Sequence, residues 1–224
     1  MPQTGSYDHQ PTPLVNGPDP ETVFTIGHST HPLERFIALL KLHRITALGD
    51  VRSKPYSRTN PQFNREDLKR GLREVDIAYV FLGSELGARS QDPQCYDHGR
   101  VQYDRLAQTE LFRRGLSRVQ EGMKKYRLAL MCAEKEPLEC HRSLLVARHL
   151  SLLGISVQHI LADGRLEGHT ELLDRLRRQL ALPESDMFRS YEDVLSDAYK
   201  IQESRIAYTT TESEPVAPPT GTTG

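Results

Sequence analysis

The chain reads as an α/β protein of three layers, a mostly parallel sheet of about five strands with helices on both faces. Three observations predict this. Short apolar and β-branched runs alternate with stretches whose apolar residues recur at helical spacing, the pattern of crossover units in a parallel sheet. The run Leu128-Ala129-Leu130-Met131 passes through a polar turn directly into a helical pattern, which is how open α/β folds build a ligand site. Finally, the two ends of the 224-residue chain differ from its middle, so one domain of ordinary size with tails is expected.

Residues 1–20 hold Gly5, Pro11, Pro13, Gly17, Pro18 and Pro20 among polar residues and are expected to be a disordered N-terminal tail. The α/β domain is expected over residues 21–182. Residues 22–26 are the first strand, broken at Gly27, with His28-Ser29-Thr30 at its carboxyl end. Pro32 suits a first helical turn, and Leu33, Phe36, Ile37 and Leu40 carry that helix to about His43. Residues 45–51 are the second strand, and alternation puts Asp50 and Arg52 on one face of it.

Asn64 with Asp67 resembles a capping pair opening a helix to about Val75, and residues 77–82 are the third strand. Gly87, Pro93 and Gly99 break up residues 83–100; a loop of that length is usually a lid or binding loop. Residues 103–126 predict one or two helices and 127–131 the fourth strand. A helix carrying Leu144, Leu145, Leu152 and Leu153 closes at Gly154. A strand over 156–161 and a helix over 170–180 complete the domain. Residues 183–224 form a C-terminal extension, with one amphipathic helix over 186–204 and then a Thr/Pro/Gly-rich tail.

Composition excludes several classes. No stretch approaches the roughly 18 apolar residues of a membrane span, and residues 1–20 lack a signal-peptide pattern, so a cytoplasmic protein is expected. Three cysteines, Cys95, Cys132 and Cys140, are no disulfide framework; reduced thiols are expected. The net charge of -1 gives no general attraction to nucleic acid. Locally, Arg52, Lys54, Arg58, Arg65, Lys69, Arg70 and Arg73, interleaved with Tyr56 and Phe63, could track a phosphate backbone or simply solvate a helix face.

Three strands end in polar residues: His28-Ser29-Thr30, Asp50 with Arg52, and Cys132 with Glu134. Ligands bind outside such ends in an open parallel sheet. Cys140-His141-Arg142-Ser143 falls in the first turns of a helix, where free N–H groups stabilise an anion or thiolate. The candidate catalytic residues are therefore His28, Asp50, Glu134, Cys140 and His141, and the candidate substrate-binding residues are Ser29, Arg52, Tyr79, Arg142 and Ser143. Each has a plainer reading: buried thiols as small hydrophobes, Asp50 with Arg52 as a structural ion pair, Glu134 as a partner of Arg142. Cys132 and Cys140, with His28 and His141 at hand, also form a candidate zinc or iron site, although no C-x₂-C pair is present.

Taken together, Thr25-Ile26-Gly27-His28-Ser29, Asp50-Val51-Arg52-Ser53 with Pro55, Tyr79 before Leu82-Gly83 and Leu86-Gly87, and Cys132-Ala133-Glu134 through Pro137 to Cys140-His141-Arg142 resemble the domain-of-unknown-function family 488 over residues 23–180. The resemblance implies a three-layer α/β fold and supplies no reaction. The expectation is an enzyme, hydrolase or transferase, acting on a phosphate-bearing substrate, a nucleotide or nucleic acid, with Arg52 and Arg142 holding the anion. A thiol-phosphatase loop needs Arg six positions after its Cys, where this chain has Val146, so carboxylate chemistry is at least as compatible. The alternatives are a Cys/His metal-binding or redox-sensing module and a nucleic-acid-binding module linked to DNA repair.

Overall fold

The computed structural model describes residues 21–184 and 189–210; the expected N-terminal tail and most of the expected C-terminal tail lie outside them. In chain order the strands are β1 (Thr22–Gly27), β2 (Ala47–Asp50), β3 (Ala78–Phe81), the two-residue β4 (Tyr96–Asp97) and β5 (Arg100–Val101), β6 (Leu128–Cys132), β7 (Ser156–Ile160) and β8 (Leu166–Gly168). The α-helices are α1 (Leu33–Leu42), α2 (Arg65–Arg73), α3 (Gly83–Leu86), α4 (Tyr103–Ala107), α5 (Glu110–Met123), α6 (Arg148–Leu152), α7 (His169–Gln179) and α8 (Tyr191–Ile206).

Six strands form the main sheet in the order β3-β2-β6-β1-β7-β8. All pairings are parallel except β7 with β8. The expected five strands are present, and β8 is an antiparallel sixth at the edge. Its three residues follow β7 too closely for a crossover, so they turn back beside it.

The order explains the layers. From β1 to β3 the chain travels one way, then returns to insert β6 between β2 and β1 and moves on to β7. Right-handed crossovers put the connecting helices on opposite faces when the direction of travel reverses. Accordingly Phe36, Leu39 and Leu40 of α1 and Leu68 and Leu72 of α2 pack with Phe24, Ile26, Leu48, Ala129 and Met131 on one face. Leu128, Leu130, Cys132 and Val157 face the other way, with Phe112, Leu116 and Val119 of α5 and Ala198 of α8. The central β6 is buried on both faces, which is why it reads as an unbroken apolar run.

Several local expectations need correction. Asn64 does precede α2, but its side chain makes no cap; its Oδ1 accepts from the Ser57 backbone N–H at 2.8 Å, holding the preceding loop instead. Residues 83–100 are not wholly irregular: α3 and a 3-10 turn (Pro93–Cys95) lie within them. Of the helix expected over 186–204, residues 186–188 lie outside the described residues, and α8 starts at Tyr191, where Ser190 and Asp193 close a reciprocal capping box. Its Val194, Ala198 and Tyr199 are buried, so the extension packs into the same body. The helix after the Cys-rich turn begins as a π-helix (Arg142–Ala147) before α6, a winding common at functional sites. Among the described residues no helix is long and apolar enough to cross a membrane.

Candidate functional site

Because β6 lies between β2 and β1, the three polar strand ends are neighbours. The His28 and Ser29 N–H groups donate to the Cys132 and Ala133 carbonyls at 2.9 Å, and the Val51 N–H donates to that of Met131 at 3.0 Å. Helices leave β2 and β6 on opposite faces, so the crevice of a reversing sheet opens here. Two groups of side chains occupy it.

The first is centred on a buried ion pair. Arg52 donates from Nε to Asp50 Oδ1 at 2.9 Å and from Nη2 to Oδ2 at 2.6 Å, and Asp50 is fully buried. Tyr79 Oη donates to the same carboxylate at 2.9 Å, and burial, with the Asp50 charge, raises its pKa. Arg52 also donates to the Phe63 carbonyl at 2.8 Å and to His28 Nε2 at 3.2 Å. His28 Nδ1 donates to the Ser29 carbonyl at 2.8 Å, and the ring stacks on Phe63 with centroids 4.2 Å apart. Burial, helped by the Arg52 charge, lowers the His28 pKa to about 4. Both ring nitrogens of His28 and the Asp50 carboxylate already have partners within the fold. The ion-pair reading describes this group.

The second group is different. The Sγ atoms of Cys132 and Cys140, a Glu134 carboxylate oxygen and a His141 ring nitrogen all lie within 4.8 Å of one another. Cys140 Sγ is 2.9 Å from Glu134 Oε2, and His141 Nδ1 is 3.6 Å from Cys132 Sγ and 3.9 Å from Cys140 Sγ. His141 Nε2 is 3.1 Å from the Val51 carbonyl; a carbonyl only accepts, so Nε2 carries the proton. Nδ1 is thereby the nitrogen turned to the two sulfurs, and although burial alone would lower the His141 pKa, the hydrogen bond and charge of Cys140 raise it. A histidine whose far nitrogen donates to a backbone carbonyl is oriented as metal-bound histidines are.

Electrostatics reinforces the geometry. Arg142 is fully buried, and its guanidinium donates to the Glu134 and Lys135 carbonyls at 2.6 and 3.2 Å, with Nε unpartnered. Among the described residues no ion pair joins it to a carboxylate, and its charge acts on Cys140. Burial alone would raise the Cys140 pKa; the hydrogen bond with Cys132 and the Arg142 charge outweigh it and hold that pKa well below its usual value. The Arg142 backbone N–H points at Cys140 Sγ from 3.4 Å. Burial and the proximity of Cys140 push Cys132 up, and the same two causes raise Glu134. Glu134 is exposed as a residue, but its carboxylate turns inward onto Cys140. Gly27 is required beneath this turn, since a Cβ there would lie 1.9 Å from the Glu134 carbonyl oxygen.

A cavity of about 250 Å³ opens over the cluster, with Cys132, Glu134 and His141 on its floor and Arg52, Lys54 and Arg89 among its walls. Cys140 lies below them. A second hollow, of about 450 Å³, shares Arg52, Lys54, Ala133 and Glu134 and reaches His28, Ser29 and Tyr56.

The structure thus brings Cys132, Glu134, Cys140 and His141 together and sets His28, Asp50, Arg52 and Tyr79 beside them as a separate network. Arg142 lies behind the cluster, and Ser143 is buried with its Oγ unpartnered. The basic stretch divides: Arg52 turns inward, Arg65 lies over Phe81 at 4.9 Å, and Arg70 pairs with Asp67. The sequence reading did not single out Arg89, Tyr103 or Tyr208, which line the cavity. The expected binding loop over 83–100 was the available signal for Arg89; Tyr208 had none.

Comparison with curated proteins finds no match, and neither does comparison with solved structures. Residues 32–149 match the family described as Domain of unknown function DUF488. That span holds β2, β3, β6 and the entire Cys132-Glu134-Cys140-His141 cluster, and excludes β1, β7 and α8. The match covers more than half of the 224 residues, so the chain belongs to the DUF488 family.

Proposed function

We propose that Cys132, Cys140 and His141 hold a divalent zinc or iron ion, and that the protein is a metal-dependent hydrolytic enzyme whose substrate enters the 250 Å³ cavity. The observation that carries this reading is the fixed orientation of the His141 ring, with Nε2 bound to the Val51 carbonyl and Nδ1 presented to two thiols. Neighbouring ligand atoms around a tetrahedral zinc lie about 3.5 Å apart, given bond lengths of about 2.0–2.3 Å. The separations of 3.6 and 3.9 Å between His141 Nδ1 and the two sulfurs need only small adjustments to match.

Two thiolates and the buried Arg142 also make sense together. The cation offsets part of the negative charge that the ligands would carry, which a cluster of inert thiols would not need. Three protein ligands with a fourth position left open are the mark of catalytic rather than closed structural sites, and of the three proposed here Cys132 and His141 line the cavity. A bound ion would supply polarisation of water or of a substrate oxygen at that position. Glu134, with its pKa raised, would be the base beside it. The three unpaired cysteines fit the reducing cytoplasm.

Elemental analysis of anaerobically purified protein tests this. About one zinc or iron per chain, lost in Cys132→Ser and in Cys140→Ser, is expected. A nucleotide-hydrolysis screen should then give an activity that chelation abolishes and metal restores. Metal-free protein whose Cys132 and Cys140 pass reversibly into a disulfide would overturn the reading in favour of a redox module.

A further inference from the structure

The cations expected to hold a substrate anion, Arg52 and Arg142, are committed to internal partners. Arg89 is not. It is exposed at the cavity rim, and among the described residues its guanidinium has no hydrogen-bond acceptor and no carboxylate. Yet it is held at both ends. Its backbone N–H donates to Ser53 Oγ at 3.0 Å, which ties the loop to the end of β2. Its guanidinium lies 4.3 Å over the Tyr208 ring.

Tyr208 is itself fixed, because its carbonyl accepts from the Val101 N–H at 2.9 Å. The next residues continue the attachment, with a bridge between Arg100 and Thr209 and a bond of 2.8 Å from the Thr210 N–H to the Gly99 carbonyl. Stacking on an aromatic face fixes the plane of a guanidinium while leaving its edge N–H donors open, and that fork matches the oxygens of a carboxylate or phosphate. Lys54 lines the same rim. The guanidinium fork draws the charge of about −1.5 to −2 on a phosphate monoester more strongly than the single charge of a carboxylate.

We infer that Arg89, stacked on Tyr208, is the subsite for a phosphate group of a small substrate whose reacting portion lies over the cysteine–histidine cluster. The inference rests on the metal-site reading for what that portion meets. It also assigns a role to residues outside the family match: the segment after α8 holds the anion-binding arginine in place and so sets which substrate this member of the family accepts.

Calorimetric titration of the metal-loaded full chain with inorganic phosphate and with acetate, at low ionic strength, tests it. Phosphate should bind more tightly than acetate. Arg89→Gln should weaken phosphate binding about tenfold or more, the loss expected for charged hydrogen bonds, and Tyr208→Leu should weaken it less, with metal content unchanged in both. No phosphate binding, equal binding of acetate, or full affinity in Arg89→Gln overturns the subsite. Phosphate binding that survives Arg89→Gln and vanishes on metal removal puts the anion on the ion instead, and overturns it too. If the wild type proves metal-free while phosphate binding still depends on Arg89, the metal reading fails and the phosphate subsite stands.

Discussion

Two buried clusters that contain histidine differ in what the ring nitrogens face. In one, Thr25 Oγ1 is 2.7 Å from His159 Nδ1, His159 Nε2 is 3.0 Å from His169 Nδ1, and His169 Nε2 is 2.9 Å from Tyr199 Oη. With both rings neutral, protons run in one direction along this row and every ring nitrogen has a partner. Burial holds His159 well below its usual pKa and lowers His169 to about 4. The row joins β1, β7, α7 and α8 and is a fastening. In the other group His141 has one nitrogen satisfied and the other turned toward two sulfurs and a cavity. Burial and perturbed pKa values are common to both groups. What separates them is a convergent set of ligand-type atoms at the wall of a cavity.

The comparison breaks most visibly if the two are exchanged by mutation. His141→Ala should lower metal affinity by more than the roughly 10–100-fold that loss of an outer partner costs, with a small effect on the unfolding of the metal-free protein. His159→Ala should do the reverse. It removes a fully buried ring and strands two polar partners, destabilising the fold by about 3 kcal/mol while metal content stays at the wild-type level. Metal analysis beside denaturant unfolding reads both. Metal lost from His159→Ala and retained by His141→Ala would invert the assignment.

Acid should act on the fastening in a defined window. The unfolded chain protonates its histidines near 6.5, whereas folded His169 resists until about 4. Between those values the unfolded state binds more protons, so stability falls as pH falls, and the loss levels off below the folded pKa. For His169 alone the loss is about 3 kcal/mol by pH 4. Denaturant unfolding of metal-free protein at pH 7 and at pH 4.5 measures it, and His169→Gln should lose stability at pH 7 and show a shallower acid dependence. An unchanged acid slope in that variant would remove His169 from the account.

Much of the sheet is legible in the sequence because period-two burial and strand ends are local. Phe24 and Ile26 face one layer and Val23 the other, as alternation requires. The convergence of Asp50, Cys132 and His28 follows once strand ends are polar, although the insertion of β6 between β2 and β1 is decided by packing across the whole sheet. Which arginines remain open to a substrate is not legible. Arg52 turns inward because Asp50 shares its face two residues earlier, and Arg142 because the Glu134 and Lys135 carbonyls lie beneath it. The row from Thr25 to Tyr199 spans 134, 10 and 30 residues between successive partners, separations that no motif spacing encodes. The edge strand β8 is equally silent, since three residues with partly exposed side chains carry no hydrophobic run.

The mildest test lies at the end of the fastening. Tyr199→Phe keeps the ring, and with it the contact to the Arg148 guanidinium 4.4 Å above its face, and deletes only the hydroxyl that meets His169 Nε2. One hydrogen bond of this kind is worth about 1 kcal/mol, so the unfolding midpoint should fall slightly while metal content and phosphate binding stay unchanged. If the row is a fastening, the effect is confined to stability and shrinks when His169 is already Gln, because the bond is then absent in both backgrounds. A Tyr199→Phe protein of unchanged stability that binds less metal would mean instead that the row reaches the cysteine cluster, and that the two clusters work as one.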